Sequence, residues 1–237
     1  MNDVSDHVAT MRPAAVLWDF DGTIVDTEPY WIEAETALIE SHGHTWSHEQ
    51  ALQLVGNDLI VSAEVIIEQT GLSLSPPEIV EILLDGVVAR LERGIPWRPG
   101  ARELLADVRA SGTRCGMVTM SYRRFVQPVI DALPEGTFDC VVTGEVVADG
   151  KPHPEPYLAA ARLLGLEPGE CIAIEDSPTG VRSALAAGCR VLGVPLHLPL
   201  AAEPGLVVAE SLPTSVSALR ELFGPAAGSP TVAATGR

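Results

Sequence analysis

The 237 residues carry 32 acidic and 15 basic side chains, for a formal net charge of −17, and 46% of the chain is hydrophobic. That much apolar material supports one large domain or two unequal ones and excludes global disorder. The acidic excess argues against nucleic acid or an anionic membrane as a partner, because phosphate surfaces need clustered Lys and Arg. Fourteen of the basic residues are arginine, and the one lysine is Lys151.

Residues 1–12 are polar, with Asp3 and Asp6 and no apolar run or basic start, and read as a disordered N-terminus without an export signal. Residues 14–19 form a short apolar run ending in an acid, the pattern of a buried strand. From 27 to 95 the texture is helical. Leu59, Ile60, Ala63, Ile66 and Ile67 recur at the 3.6 period, as do Ile79, Ile82, Leu83, Val87 and Leu91. Ser47 with Gln50 and Ser75 with Glu78 predict capping boxes, Pro76 suits the first helical position, and Gly43 and Gly71 are helix stops.

Beyond Pro99-Gly100 helices and strands alternate. A helix with Leu104, Leu105 and Val108 stops at Gly112, and a strand over 115–119 follows. Helices are expected near 122–132, 155–164, 178–187 and 214–223, with strands at 140–143, 171–175, 191–194 and 206–208. This is an α/β pattern: a doubly wound parallel sheet, Rossmann-like, built from 13–26 and 96–223 and interrupted by an all-helical insert at 27–95. An insert there lies above the strand carboxyl ends, where open α/β sheets bind ligands. The Gly-, Pro-, Ala-, Ser- and Thr-rich stretch from 224 to 237 reads as a disordered tail. The run 191–202 is broken by Pro195 and Pro199 and is too short to span a bilayer. Cys115, Cys140, Cys171 and Cys189 lie far apart among apolar residues and read as buried reduced thiols, which points to a cytoplasmic protein.

Four polar points fall at strand ends. Asp19-Phe20-Asp21-Gly22-Thr23 leaves the first strand with carboxylates at i and i+2 and a glycine for a tight turn. It lacks the further acids of a calcium loop. Thr119 ends Gly-Met-Val-Thr and precedes Met120 and Ser121. Lys151 stands in Gly-Lys-Pro-His-Pro, whose prolines restrict the backbone around it. Glu175 and Asp176 leave the strand at 171–175. Ser177 as N-cap and Pro178 at the first helical position explain their neighbours but not two adjacent acids. Asp19, Asp21 and Asp176 can surround a small hard cation such as Mg²⁺, and Lys151 and Thr119 can meet the remaining oxygens of a phosphoryl group.

In order and context these four motifs resemble those of the haloacid dehalogenase superfamily, over residues 14 to 222. The resemblance is greatest to the branch of phosphoglycolate phosphatases, sugar-phosphate phosphatases and β-phosphoglucomutases. It implies a Mg²⁺-dependent phosphatase with Asp19 as nucleophile, forming an aspartyl-phosphate, and Asp21 as general acid and base. It implies Mg²⁺ held by the Asp19 and Asp176 carboxylates and the Asp21 carbonyl, with Glu175 assisting through water. Thr119 and the Met120 amide would bind phosphoryl oxygens, and Lys151 would balance charge on Asp19 and the phosphoryl group. The expected substrate is a small phosphate ester, resembling a sugar phosphate, and the expected form is a monomer.

Dehalogenation itself is disfavoured, because it needs neither the second acid nor the metal-binding pair. A β-phosphoglucomutase-like phosphotransferase is the alternative. Those mutases carry a cap arginine shortly after a glycine corresponding to Gly56, whereas this chain reads Gly56-Asn57-Asp58-Leu59-Ile60. Asn57, Asp58 and the stretch Asp26 to Trp31 are expected to select the substrate. His42, His44 and His48 lack partners at ligand spacing and read as solvent-exposed, and Arg123 and Arg124 as a solvated helix face.

Overall fold

The computed structural model describes residues 13–54 and 59–223. The two expected disordered ends, and the residues Gly56, Asn57 and Asp58 on which mutase and specificity readings turned, lie outside the described residues.

In chain order the elements are β1 (Ala15–Trp18), α1 (Glu28–Ser41), α2 (His48–Leu52), α3 (Leu59–Thr70), α4 (Pro76–Leu91), α5 (Ala101–Ala110), β2 (Arg114–Val118), α6 (Arg123–Asp131) and β3 (Cys140–Val142). They continue with α7 (Glu155–Leu164), β4 (Cys171–Glu175), α8 (Pro178–Ala187), β5 (Arg190–Gly193), β6 (Leu206–Val208) and α9 (Val216–Glu221), with short 3₁₀ turns at 144–146 and 168–170. β4 and β6 have the expected bounds, β2 and β5 lie one residue earlier than expected, and β1 and β3 are slightly shorter than the runs that announce them. Asp19 and Thr119 stand just beyond β1 and β2, where the ladder gives way to turns.

The described residues divide into two compact units: 13–25, 97–123 and 133–223 in one, and 26–54, 59–96 and 124–132 in the other. In the first, six parallel strands form one sheet in the order β3-β2-β1-β4-β5-β6. The order reverses between β1 and β4, so the crevice of an open α/β sheet falls at their carboxyl ends. All four residues of β1 are buried, as a central parallel strand requires. Ala15, Leu17 and Ala173 face a core shared with Tyr157, Ala160 and Leu164 of α7 and Val181 and Ala184 of α8. α5 packs on β2, and α9 on α5.

The second unit contains α1 to α4 and most of α6. Of the periodic positions read from the sequence, Ala63, Ile66, Ile79, Leu83, Val87 and Leu91 are buried, joined by Leu38 and Ile39 of α1, whereas Ile60 and Ile82 are exposed because the buried stripe of each helix is narrower than its apolar pattern. Both capping signatures form. The Gln50 amide donates to the Ser47 hydroxyl (3.2 Å), and the Ser75 amide to the Glu78 carboxylate (2.8 Å). His42, His44 and His48 are exposed. Arg124 is held by Glu81 (2.7 Å) and Asp85, so it is paired rather than simply solvated. Trp31 meets Phe125 edge to face, with centroids 5.3 Å apart. All four cysteines are free, three buried and Cys140 half-buried. Among the described residues no helix is long and apolar enough to cross a membrane.

Candidate active site

The site belongs to the sheet-bearing unit and is built from the carboxyl ends of β1, β2 and β4. The Asp19 amide donates to the Ile174 carbonyl (3.0 Å), which fixes Asp19 at the switch point. Glu175 closes β4 and is fully buried, and Asp176 follows at 9% exposure. Asp176 immediately precedes Ser177, the N-cap of α8, which accepts from the Gly180 amide (3.1 Å). A helix N-terminus is a favourable place for a carboxylate.

Lys151 enters from the loop before α7. Its Nζ donates to Asp19 Oδ1 at 2.6 Å and to Glu175 Oε1 at 2.7 Å. Thr119 is buried beyond β2, with its amide on the Val142 carbonyl (2.9 Å). Its Oγ1 accepts from the Ser121 amide (3.0 Å), and Ser121 Oγ donates to Asp21 Oδ2 (2.6 Å). Met120 lies between them and its sulfur accepts from the Lys151 amide (3.2 Å). The seven residues singled out from the sequence therefore fall within one bonded network or directly beside it.

Residues 16–194 match the family described as haloacid dehalogenase-like hydrolase. The chain is 35% identical to hexitol phosphatase A of Escherichia coli over 203 residues, covering 84% of this chain and 91% of that one. The solved structure of CbbY from Rhodobacter sphaeroides in complex with phosphate superposes with a TM-score of 0.72 at 27% identity, over 84% of this chain and 94% of that one. A β-phosphoglucomutase from Clostridium difficile matches with a TM-score of 0.62 at 25% identity, over 78% and 85% of the two chains. The chain belongs to the haloacid dehalogenase-like hydrolase family. It stands in the phosphatase branch of that family.

In this hydrolase the site carries more negative charge than its own cation balances. Burial first, then the Asp19 charge, pushes the Glu175 and Asp176 carboxyls upward from their ordinary range. Burial by itself would lower Lys151, but Asp19 and Glu175 more than offset it and hold the ammonium charged. Oxygens of Asp19, Glu175 and Asp176 lie within 4.8 Å of one another, and the buried Glu175 Oε2 has no hydrogen-bond partner. An all-oxygen, carboxylate-rich set of this kind fits a hard divalent cation. A second group, Asp149, His153 and Glu155, is mostly exposed. There the Glu155 oxygens already accept the Ala148 and Asp149 amides (2.9 and 3.0 Å), which ties the loop to the start of α7.

Three residues of the hydrolase site escaped the sequence reading. Ser121 carried a usable signal, since Thr-Met-Ser places a second hydroxyl two residues beyond Thr119. Gly180 carried a weaker one, a glycine inside a helix, where it costs about 1 kcal/mol relative to alanine. A Cβ there would overlap the Glu175 carboxylate, just as one on Gly22 (φ +82°) would overlap that of Asp176. Tyr157 carried none, because an aromatic residue six positions after Lys151 on an amphipathic helix reads only as core.

Proposed function

We propose that this hydrolase is a Mg²⁺-dependent phosphatase of a small phosphorylated sugar or sugar alcohol, acting through an aspartyl-phosphate. The observation that carries the reading is the Lys151 ammonium bridging Asp19 and Glu175 at the sheet's switch point, with Asp21 two residues beyond Asp19. The hexitol phosphatase relative supports the substrate class.

Asp19 attacks phosphorus in line, and the bond from phosphorus to the substrate oxygen breaks as the aspartyl-phosphate forms. Asp21 gives its proton to the departing oxygen. It then takes one from the water that attacks the phosphoryl group, so that phosphate leaves and Asp19 is regenerated. Ser121 holds the Asp21 carboxylate in reach (2.6 Å). Thr119 Oγ1 accepts from the Ser121 amide, which leaves its own proton to donate to a phosphoryl oxygen, beside the Met120 amide. Lys151 offsets charge shared between Asp19 and the incoming anion, and so lets two like-charged groups approach. Asp19, Asp176 and the Asp21 carbonyl would hold Mg²⁺, with Glu175 assisting. When bound, the ion supplies neutralisation of charge on the transferring group.

The helical unit acts in this reading as a cap that selects the substrate. The enzyme is taken as monomeric and cytoplasmic. Phosphate release from a panel of sugar and polyol monophosphates with Mg²⁺ tests the proposal, and Asp19→Asn should lower turnover at least about 10³-fold. Retained activity in that variant would remove Asp19 as nucleophile. Conversion of glucose 1-phosphate to glucose 6-phosphate with a bisphosphate primer would replace hydrolysis by the mutase chemistry.

A further inference from the structure

Tyr157 is an anomaly in its surroundings. It sits in the first turn of α7, fully buried in the apolar core between that helix and the sheet, against residues such as Val118, Val142 and Ala173. Phenylalanine would fill such a position equally well by volume, and a buried hydroxyl is unfavourable unless it finds a partner. Its partner is Glu175: the phenol donates to Oε1 at 2.5 Å. That same oxygen accepts from Lys151 Nζ at 2.7 Å, and the ammonium also stands 5.3 Å from the centroid of the Tyr157 ring.

We propose that Tyr157 is a positioning residue of this site, which through Glu175 sets where the Lys151 ammonium stands against Asp19. The inference rests on the phosphatase reading above. Glu175 is gripped at one oxygen by two donors, while its other oxygen has no partner and is wedged against Gly180. Without the phenol, Lys151 becomes the remaining donor to Oε1 among the bonds described. The carboxylate, still bounded by Gly180, then loses a bond that fixes its rotation, and the flexible lysine stem shifts with it relative to Asp19. Tyr157 touches no substrate atom in this arrangement. Its influence reaches the nucleophile through three hydrogen bonds, one from Tyr157 to Glu175 and two from Lys151, to Glu175 and to Asp19.

The composition of the chain supplies a direct readout, because Lys151 is its single lysine. Protein grown on ¹³C,¹⁵N-lysine shows one side-chain spin system, and that signal reports Lys151 without any assay of activity. The experiment compares wild type, Tyr157→Phe, Glu175→Gln and the double variant in Mg²⁺, by lysine NMR, thermal melting and phosphate release. Tyr157→Phe is expected to move the lysine signal. It should lower kcat about 10- to 100-fold with KM within twofold, and add no further loss on top of Glu175→Gln. A lysine signal that does not move, an unchanged kcat, or a loss that adds fully to that of Glu175→Gln overturns the proposal and leaves Tyr157 as core packing. Wild-type protein that releases no phosphate from the panel overturns the functional reading instead, whatever the lysine signal does.

Discussion

Gly180 illustrates how tightly single residues constrain this site. Its Cα is the wall against which the Glu175 carboxylate rests, so a methyl group at that position has nowhere to go except into the buried acid. Gly180→Ala is therefore expected to lower kcat/KM at least about 10-fold although alanine is the better helix former. Steady-state kinetics paired with a melting curve would check this, and a variant that is both more stable and fully active would contradict the wedge. At this scale much was legible beforehand. Asp19, Asp21, Glu175 and Asp176 stood out as acids leaving apolar strands, and Lys151 as the single lysine, set in Gly-Lys-Pro-His-Pro. Ser121, Tyr157 and Gly180 did not, since serine after a strand, an aromatic on a helix face and a helical glycine are each common for ordinary reasons.

Among the elements, α1 holds a charge-bearing group that the proposed chemistry does not use. Glu35 is 4% exposed, and the Trp46 indole donates to its Oε2 at 3.1 Å. Burial, against the pull of that bond and aided by Glu28, raises its carboxyl to about 7 from 4.5. A group raised on folding favours the folded state fully below its unfolded value, and that contribution is lost as pH rises through its folded value. The helical unit should thus lose stability between pH 4.5 and 7, by an amount on the order of 2–3 kcal/mol. Glu35→Gln keeps an oxygen for Trp46 and carries no charge, so its denaturant midpoint is expected to fall less steeply than that of wild type over that range and to exceed wild type above pH 7. A variant with the same pH slope as wild type would show that Glu35 is not the titrating group. The capping boxes of α2 and α4 and the periodic faces of α3 and α4 were readable from local pattern, because capping and amphipathicity act over four residues or fewer. The buried acid was not, since Glu35 lies on a helix among many exposed acids and only packing reveals which one is enclosed.

For the whole molecule, the acidic excess of the chain has two parts with different consequences. Most of it is solvated surface, while Asp19, Glu175 and Asp176 are drawn into one buried cluster where the charge that Lys151 does not balance opposes folding unless a further cation joins them. A ligand bound only by the folded state stabilises it by about 2.7 kcal/mol at a hundredfold excess over its Kd. For a domain of this size that corresponds to a rise in Tm of roughly 5–10 °C. Calorimetry of chelator-treated protein with and without Mg²⁺ should show such a rise in wild type and little in Asp176→Asn. An equal rise in both would place the ion elsewhere.

The sequence by itself determined the alternation of strands and helices, the helical insert after the first strand, and most of the residues that meet in the candidate site. Those features are local: they depend on side-chain periodicity, on turn chemistry and on polar groups within a few positions of a strand end. The strand order β3-β2-β1-β4-β5-β6, which puts β1 beside β4, was decided by tertiary structure. So was the assembly of one site from residues as distant as Asp19, Lys151 and Asp176. The hydrogen bond from Tyr157 to Glu175 belongs to the same class. It forms because α7 packs across the sheet and brings a phenol to a strand end eighteen residues away, a distance at which no local pattern carries information.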